Sequence, residues 1–352
     1  MDSSLTGSQS ESLTYPFGDT QTIGALTDIV PGVHWLRMPL PFALNHINLY
    51  LLEDGDGWTV VDTGVNSRAC REVWTKVFAE NLDGKPIKRI IVTHMHPDHV
   101  GLAGWIAEKY NAPLWMTRID YLLCRMLVND KPGNVPQAGL NFYRRAGFSD
   151  KDMEEYIDKF GRFGMGVATM PASYRRISDD EVIRIGSHDW KVVVGRGHAP
   201  EHACLFCEEL KILISGDQVL PRISSIVSVF PTEPGSNPLH DWLESCVELK
   251  QKLPPDPLVL PSHNTPFYGL HTRLDQLISH HEKHLQKLYE YCAAPRRAVD
   301  VFPVLFAREI DTSLMMMATG ESLAHLHYLM SKGLIVKEAD AGGIDWYRQA
   351  PK

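Results

Sequence analysis

The chain has 352 residues, 44% apolar and 22% charged, with 43 acidic against 35 basic residues for a formal net charge of −8. That length fits one large domain with a smaller appendage, and the ordinary apolar share excludes disorder and collagen-like repetition. Mild acidity excludes a basic chromatin protein, and six cysteines scattered from Cys70 to Cys292 exclude a disulfide framework, pointing to reduced thiols in a cytoplasmic protein.

Residues 1–20 read as a flexible leader. Met1 to Thr14 is Ser-rich and lacks the basic start and apolar run of a secretory signal. No stretch reaches the roughly 20 apolar residues that span a bilayer, so no membrane partner is expected. Ile47 to Glu53, the turn at Gly55 to Gly57, and Trp58 to Asp62 read as a hairpin. Ser67 caps a helix running to about Asn81. Ile87 to Thr93 is a short β-branched run, hence a buried strand, and it ends at a histidine-rich turn. A helix over Asp98 to Tyr110 and a strand over Pro113 to Thr117 follow.

Arg118 to Ala172 is different: mostly helical, rich in Met and aromatic residues. These serve as helix core or as the apolar underside of a lid over a cleft, and the two roles are compatible. Strands resume at Glu181 to Ile185, Trp190 to Val194, His202 to Glu208 and Lys211 to Ser215. A helix near Leu239 to Leu253 and a strand from Pro257 to Leu260 complete a sheet-on-sheet core with helices outside. Beyond it come a long helix (Leu270 to Cys292), two helical stretches (Ala298 to Arg308 and Ser313 to Ser331) and a hairpin around Ala341-Gly342-Gly343. That order outlines a winged helix-turn-helix. The expected units are the leader 1–20, a core 21–269 with its insertion at about 118–172, and an appended region 270–352.

The chemistry concentrates at His94-Met95-His96-Pro97-Asp98-His99, directly after a buried strand. Three imidazoles and a carboxylate crowded at a strand end repel one another unless a cation neutralises them. In an extended segment His94 and His96 project to the same side, as a metal clamp requires. His198, Asp217 and His263 each stand just past a predicted strand, closely preceded by Gly or Ser, where small residues let the backbone approach a shared site. Five histidines and two aspartates are too many for one four-coordinate ion. Two ions use them all: His94, His96 and His198 on one, Asp98, His99 and His263 on the other, with Asp217 bridging. Mixed imidazole and carboxylate donors suit Zn2+, with Mn2+ or Fe as substitutes, and Asp98 and Asp217 are the catalytic candidates. A shared hydroxide would be the nucleophile.

On these residues the sequence resembles the metallo-β-lactamase superfamily. Its His-x-His-x-Asp-His signature is met at His94 to His99, and its remaining ligands match His198, Asp217 and His263 in order. Asp62-Thr63-Gly64 matches the Asp-Thr-Gly that supports the metal loop from behind. Gly197 to His202 is similar to a segment of glyoxalase II relatives, in which His202 is structural. The resemblance implies an α+β, four-layer αβ/βα sandwich with the metals at one edge. With no cysteine among the ligands, the chain looks unlike true zinc β-lactamases and similar to the glyoxalase II, lactonase and nuclease branches. The appended region resembles that of the β-lactamase-like protein 2 group. Ala199, Pro200, Glu201 and Asn264 depart from the usual pattern.

Weaker features have plainer readings. Cys204 and Cys207, three apart on a strand, face opposite sides. His280, His281 and His284 form a polar helix face. The expected function is a binuclear metal-dependent hydrolase of a small ester, thioester or lactone, with a small acyl molecule as partner. The alternative is a phosphodiesterase or endoribonuclease whose winged helix grips RNA. Against nucleic acid stands the charge from Arg296 to Lys352, seven basic and seven acidic residues. A third reading makes the appended region a homodimer contact.

Overall fold

Alternation along the hydrophobic runs decides the architecture, because apolar side chains on both faces of a strand need cover on both sides. The computed structural model describes residues 12–18, 21–41 and 44–351. Its elements begin with β1 (Leu26–Val30), β2 (Val33–Pro39), β3 (His46–Asp54), β4 (Gly57–Val61), α1 (Arg68–Glu80), β5 (Ile87–Ile91), α2 (Pro97–Val100), α3 (Ala103–Tyr110) and β6 (Leu114–Met116). The insertion supplies α4 (Arg118–Leu127), α5 (Gln137–Ala146) and α6 (Asp150–Lys159). Next come β7 (Arg175–Arg176), β8 (Val182–Ile185), β9 (His188–Gly195), β10 (His202–Cys207) and β11 (Ile212–Gly216). The chain closes with α7 (Pro238–Lys252), β12 (Leu258–Pro261), α8 (Leu270–Tyr291), α9 (Phe302–Leu305), α10 (Met315–Ser331), β13 (Ile335–Ala339) and β14 (Asp345–Gln349).

The first sheet runs in order from β1 to β7 and the second β12-β11-β10-β9-β8. On β3, Ile47, Leu49 and Leu51 join the core under α1 and α3, while Tyr50 and Leu52 join the core between the sheets with Trp190, Leu205 and Leu260. The outer face of the second sheet meets α7, α8 and α10 in a third core around Trp242, Phe267 and Leu274. The layers are therefore helix, sheet, sheet, helix, the expected α+β sandwich. Cys204 and Cys207 fall in different cores, as strand alternation requires. All six thiols are buried.

Parallel pairing positions the site. Strand β4 pairs with β5, and β11 with β12, in parallel, while β9 and β11 both run antiparallel to β10. Their carboxyl ends therefore emerge at shared sheet edges. A hydrogen bond from Ala203 N to Thr93 O (2.8 Å) and another from Asn48 N to Ser262 O (2.7 Å) tie the two sheets together there.

Several expectations change in detail. The helix expected over Asp98 to Tyr110 breaks into α2 and α3 at Gly101, where a Cβ would stand 2.6 Å from Asn66 N and from Gly166 O. The 298–308 stretch is one 3-10 turn, Ala298–Val301, followed by the single turn of α9. His281 does not lie on a polar face; it is buried against α10. Within the expected leader, Thr14 forms a β-bridge with Tyr268, and Leu13 and Tyr15 lie against the core. Residues 1–11, 19 and 20 lie outside the described residues. No helix among the described residues is long and apolar enough to cross a membrane.

Candidate metal centre

Every candidate ligand sits just past the end of a strand. The turn after β5 carries His94, His96, Asp98 and His99, with Pro97 and Asp98 opening α2. The ends of β9, β11 and β12 present His198, Asp217 and His263. The structure brings all seven together as two adjoining groups: His94, His96, His198 and Asp217 in one, Asp98, His99 and His263 in the other.

In the first group the inward nitrogens form a triangle. His94 Nε2 lies 2.8 Å from His96 Nδ1, His96 Nδ1 is 3.1 Å from His198 Nε2, and His198 Nε2 is 3.2 Å from His94 Nε2. Asp217 Oδ2 stands 3.4 Å from both His198 Nε2 and His99 Nε2, and Oδ1 is 3.5 Å from His263 Nε2. Asp98 Oδ2 is 3.5 Å from His263 Nε2 and 3.7 Å from His99 Nε2. One carboxylate thus faces both groups.

Outward contacts fix which nitrogen faces in. His198 Nδ1–H donates to Ile226 O (2.7 Å) and His263 Nδ1–H to His46 O (2.9 Å). His99 Nδ1–H donates to Asp62 Oδ2 (2.8 Å), and His94 Nδ1 meets Thr93 Oγ1 (3.1 Å), whose own hydroxyl donates to Asp62 (2.8 Å). These four imidazoles therefore present bare Nε2 lone pairs to the interior.

That donor set fits a divalent cation. Lone pairs of His94 and His198 facing each other at 3.2 Å repel unless positive charge lies between them. Four ligands about 2.0–2.1 Å from a tetrahedral ion stand about 3.3 Å apart, close to the triangle's edges. His99 Nε2 and Asp217 Oδ1 are buried with no hydrogen-bond partner. Electrostatics agree. Burial drives the His94 imidazole well down and holds His96 at about 3, keeping both neutral for coordination. Burial works the same way on His99 and His263, yet the Asp217 and Asp98 carboxylates outweigh it and raise both, His263 to about 10. The pocket favours positive charge where the carboxylates lie.

Sequence motifs find their physical reasons here. Asp62, at φ 61°, accepts Thr93 N (2.8 Å) besides the contacts above, and Thr63 Oγ1 donates to His99 O (2.7 Å), bracing the turn from behind. His202 is structural: its Nε2 accepts Asp217 N–H (3.0 Å). Asn264 has φ 69°, a conformation that Gly or Asn adopts readily, and its carbonyl accepts from Arg37 and Asn48. Glu201 accepts Ile119 N–H (2.9 Å) at the start of α4, tying the insertion to the His198 turn.

Asp120 escaped the sequence reading. Fully buried, it accepts Met95 N–H (3.0 Å) and Glu201 N–H (2.8 Å), joining the two histidine turns. Its only sequence signal is an acid in the first turn of an apolar helix. Beside His96 opens a cavity of about 350 Å3, mostly apolar, with Leu127, Tyr143, Tyr156 and Phe160 from the insertion, Phe230 from the loop before α7, and Met316 from α10.

Comparison with known proteins agrees with this geometry. Residues 44–263 match the metallo-beta-lactamase superfamily, and residues 285–350 match the metallo-beta-lactamase-like C-terminal domain. A beta-lactamase domain protein from Burkholderia ambifaria is 42% identical, with 96% of this chain and 98% of that one covered and a TM-score of 0.89. A metallo-beta-lactamase family protein of Thermus thermophilus is 26% identical, with 92% and 100% covered and a TM-score of 0.77. A protein of Bacillus subtilis (strain 168) named "Probable metallo-hydrolase YqjP" is 25% identical over 331 residues, 85% of this chain and 92% of its own. The chain belongs to the metallo-beta-lactamase superfamily of metallo-hydrolases.

Proposed function

We propose that this chain is a binuclear zinc hydrolase that cleaves a small, partly apolar ester, thioester or lactone. The observation that carries this reading is His96, which lines both the ligand cluster and the apolar cavity. His94, His96 and His198 hold one ion, Asp98, His99 and His263 the other, and Asp217 faces both. The two ions supply Lewis acidity and an activated water. The chain's own residues do the rest. The cavity takes the acyl part and excludes water from it, since its volume falls in the usual range for small-molecule sites. Asp62, Ile226 and the His46 carbonyl keep the imidazoles in the tautomer that coordinates.

The units 21–269 and 270–352 serve as catalytic body and appended region, the latter supplying Met316 to the cavity wall. The even balance of seven basic and seven acidic residues from Arg296 to Lys352 supports an acyl substrate over RNA.

The test is a parallel hydrolysis assay of zinc-loaded protein on acyl thioesters, simple lactones and a single-stranded RNA oligonucleotide. Asp217→Ala serves as the blank and is expected to lose at least a hundredfold in kcat/KM, since it removes a ligand that both groups share. Turnover of RNA alone, with every carbonyl substrate untouched, overturns the acyl reading.

A further inference from the structure

Helix α10 and the histidine face of α8 carry buried polar groups that the chemistry above does not use. His325 Nδ1–H donates to the Glu321 carbonyl one turn earlier (2.8 Å), which leaves its Nε2 as an acceptor. His281 Nδ1–H donates to it at 3.2 Å. His281 Nε2 in turn accepts from the Ser224 hydroxyl at 3.1 Å. A carbonyl can only accept, so the direction of the whole chain is fixed. Burial lowers both imidazoles, His281 to about 2 and His325 to about 4, so neither takes up a proton that would reverse it at neutral pH.

The next two residues of that loop touch the candidate centre. Ser225 Oγ donates to the Asp217 carbonyl, and Ile226 O receives His198 Nδ1–H. Helix α10 grips the same loop again further along. Val229 N donates to Gly320 O (3.0 Å), and His327 Nδ1–H donates to Ser236 O (2.8 Å). A Cβ on Gly320 would stand 2.9 Å from both Ser228 Cβ and Val229 O, so the approach is close.

We propose that His325, His281 and Ser224 are positioning residues through which α8 and α10 set the His94/His96/His198 half of the metal centre. They hold residues 224–226 so that Ile226 fixes the His198 tautomer and Ser225 fixes the Asp217 backbone. The inference rests on the binuclear reading and makes an asymmetric prediction. The hydrogen bonds reach His198 directly through Ile226, whereas Asp98, His99 and His263 are reached only through the shared Asp217.

The experiment is a zinc titration of the full chain, stripped by chelator and followed with a chromophoric competitor. The two halves are told apart in His96→Ala and His263→Ala backgrounds. His281→Leu is expected to weaken the triad half about tenfold, the scale seen when a ligand's hydrogen-bond partner is lost, and to weaken the other half less, because that half is reached only through Asp217. His281→Gln, whose amide oxygen accepts from Ser224, is expected to restore it. Ser224→Ala, which removes the donor without opening the α8–α10 contact, is expected to repeat the asymmetric loss. Equal weakening of both halves, or no weakening in either variant, overturns the inference and leaves the hydrolase reading standing. A wild-type chain that binds no zinc overturns the metal reading, and the inference with it.

Discussion

Asp62 shows how much one side chain can organise. Its left-handed backbone (φ 61°) turns the carboxylate back under the ligand turn, where it gathers Thr93 N–H, the Thr93 hydroxyl and His99 Nδ1–H, each at 2.8 Å. Asn tolerates that conformation, so Asp62→Asn keeps the turn while removing the charge that orients His99. The expected result is a folded protein whose His99 half binds zinc ten- to a hundredfold more weakly. Competition titration against a chelator checks it, and unchanged affinity would falsify the supporting role. Glu201 and Asn264, two of the four departures from the family pattern, have local explanations. One caps the first helix of the insertion and the other occupies a positive-φ position.

At the scale of elements, α10 carries a carboxyl with no hydrogen-bond partner among the described residues. Glu321 lines a cavity between α8, α9 and α10 beside His280 and His284, both of which burial lowers, so neither offers a cation. Burial raises the Glu321 carboxyl from 4.5 to about 7. Its folded pKa is raised, so its contribution to stability is fully present below 4.5 and is lost as pH rises through about 7. Glu321→Gln removes that loss. The variant is expected to melt with the wild type near pH 4, below the unfolded value of 4.5, and above it near pH 8.5, by one to roughly three kcal/mol. Parallel melts across that window decide the matter; coincident curves at both ends refute it. Elements also mark where the sequence was readable. His94 to His99 declared itself because its ligands are neighbours in the chain, and β-branched runs placed β5, β9 and β12 because burial on both faces leaves a local signature. Ser225 and Ile226 left none, and Asp120 only an acid in the first turn of a helix, since their roles exist only where distant turns meet. Nor did the α8 histidines, because which face of a helix is buried depends on what packs against it.

Across the whole molecule, the candidate ligands come from both sheets, the first sheet giving His94 to His99 and the second His198, Asp217 and His263. An ion bound only by the folded chain stabilises it by mass action, about 2.7 kcal/mol at a hundredfold excess over Kd. Chelator is therefore expected to lower the Tm of the wild type and to leave Asp217→Ala nearly unmoved; a wild-type Tm indifferent to chelator would sink this prediction. The six buried thiols have a consequence of another kind. Cys70 and Cys124 lie in the core under α1 and α3, Cys207 between the sheets, and Cys204, Cys246 and Cys292 in the core under α7 and α8. Burial raises each thiol, Cys124 and Cys246 to about 12, so all are silent to alkylation while their layer is closed. Each layer thus carries its own clock. The order in which the thiols become reactive in dilute denaturant records the order in which the sandwich comes apart.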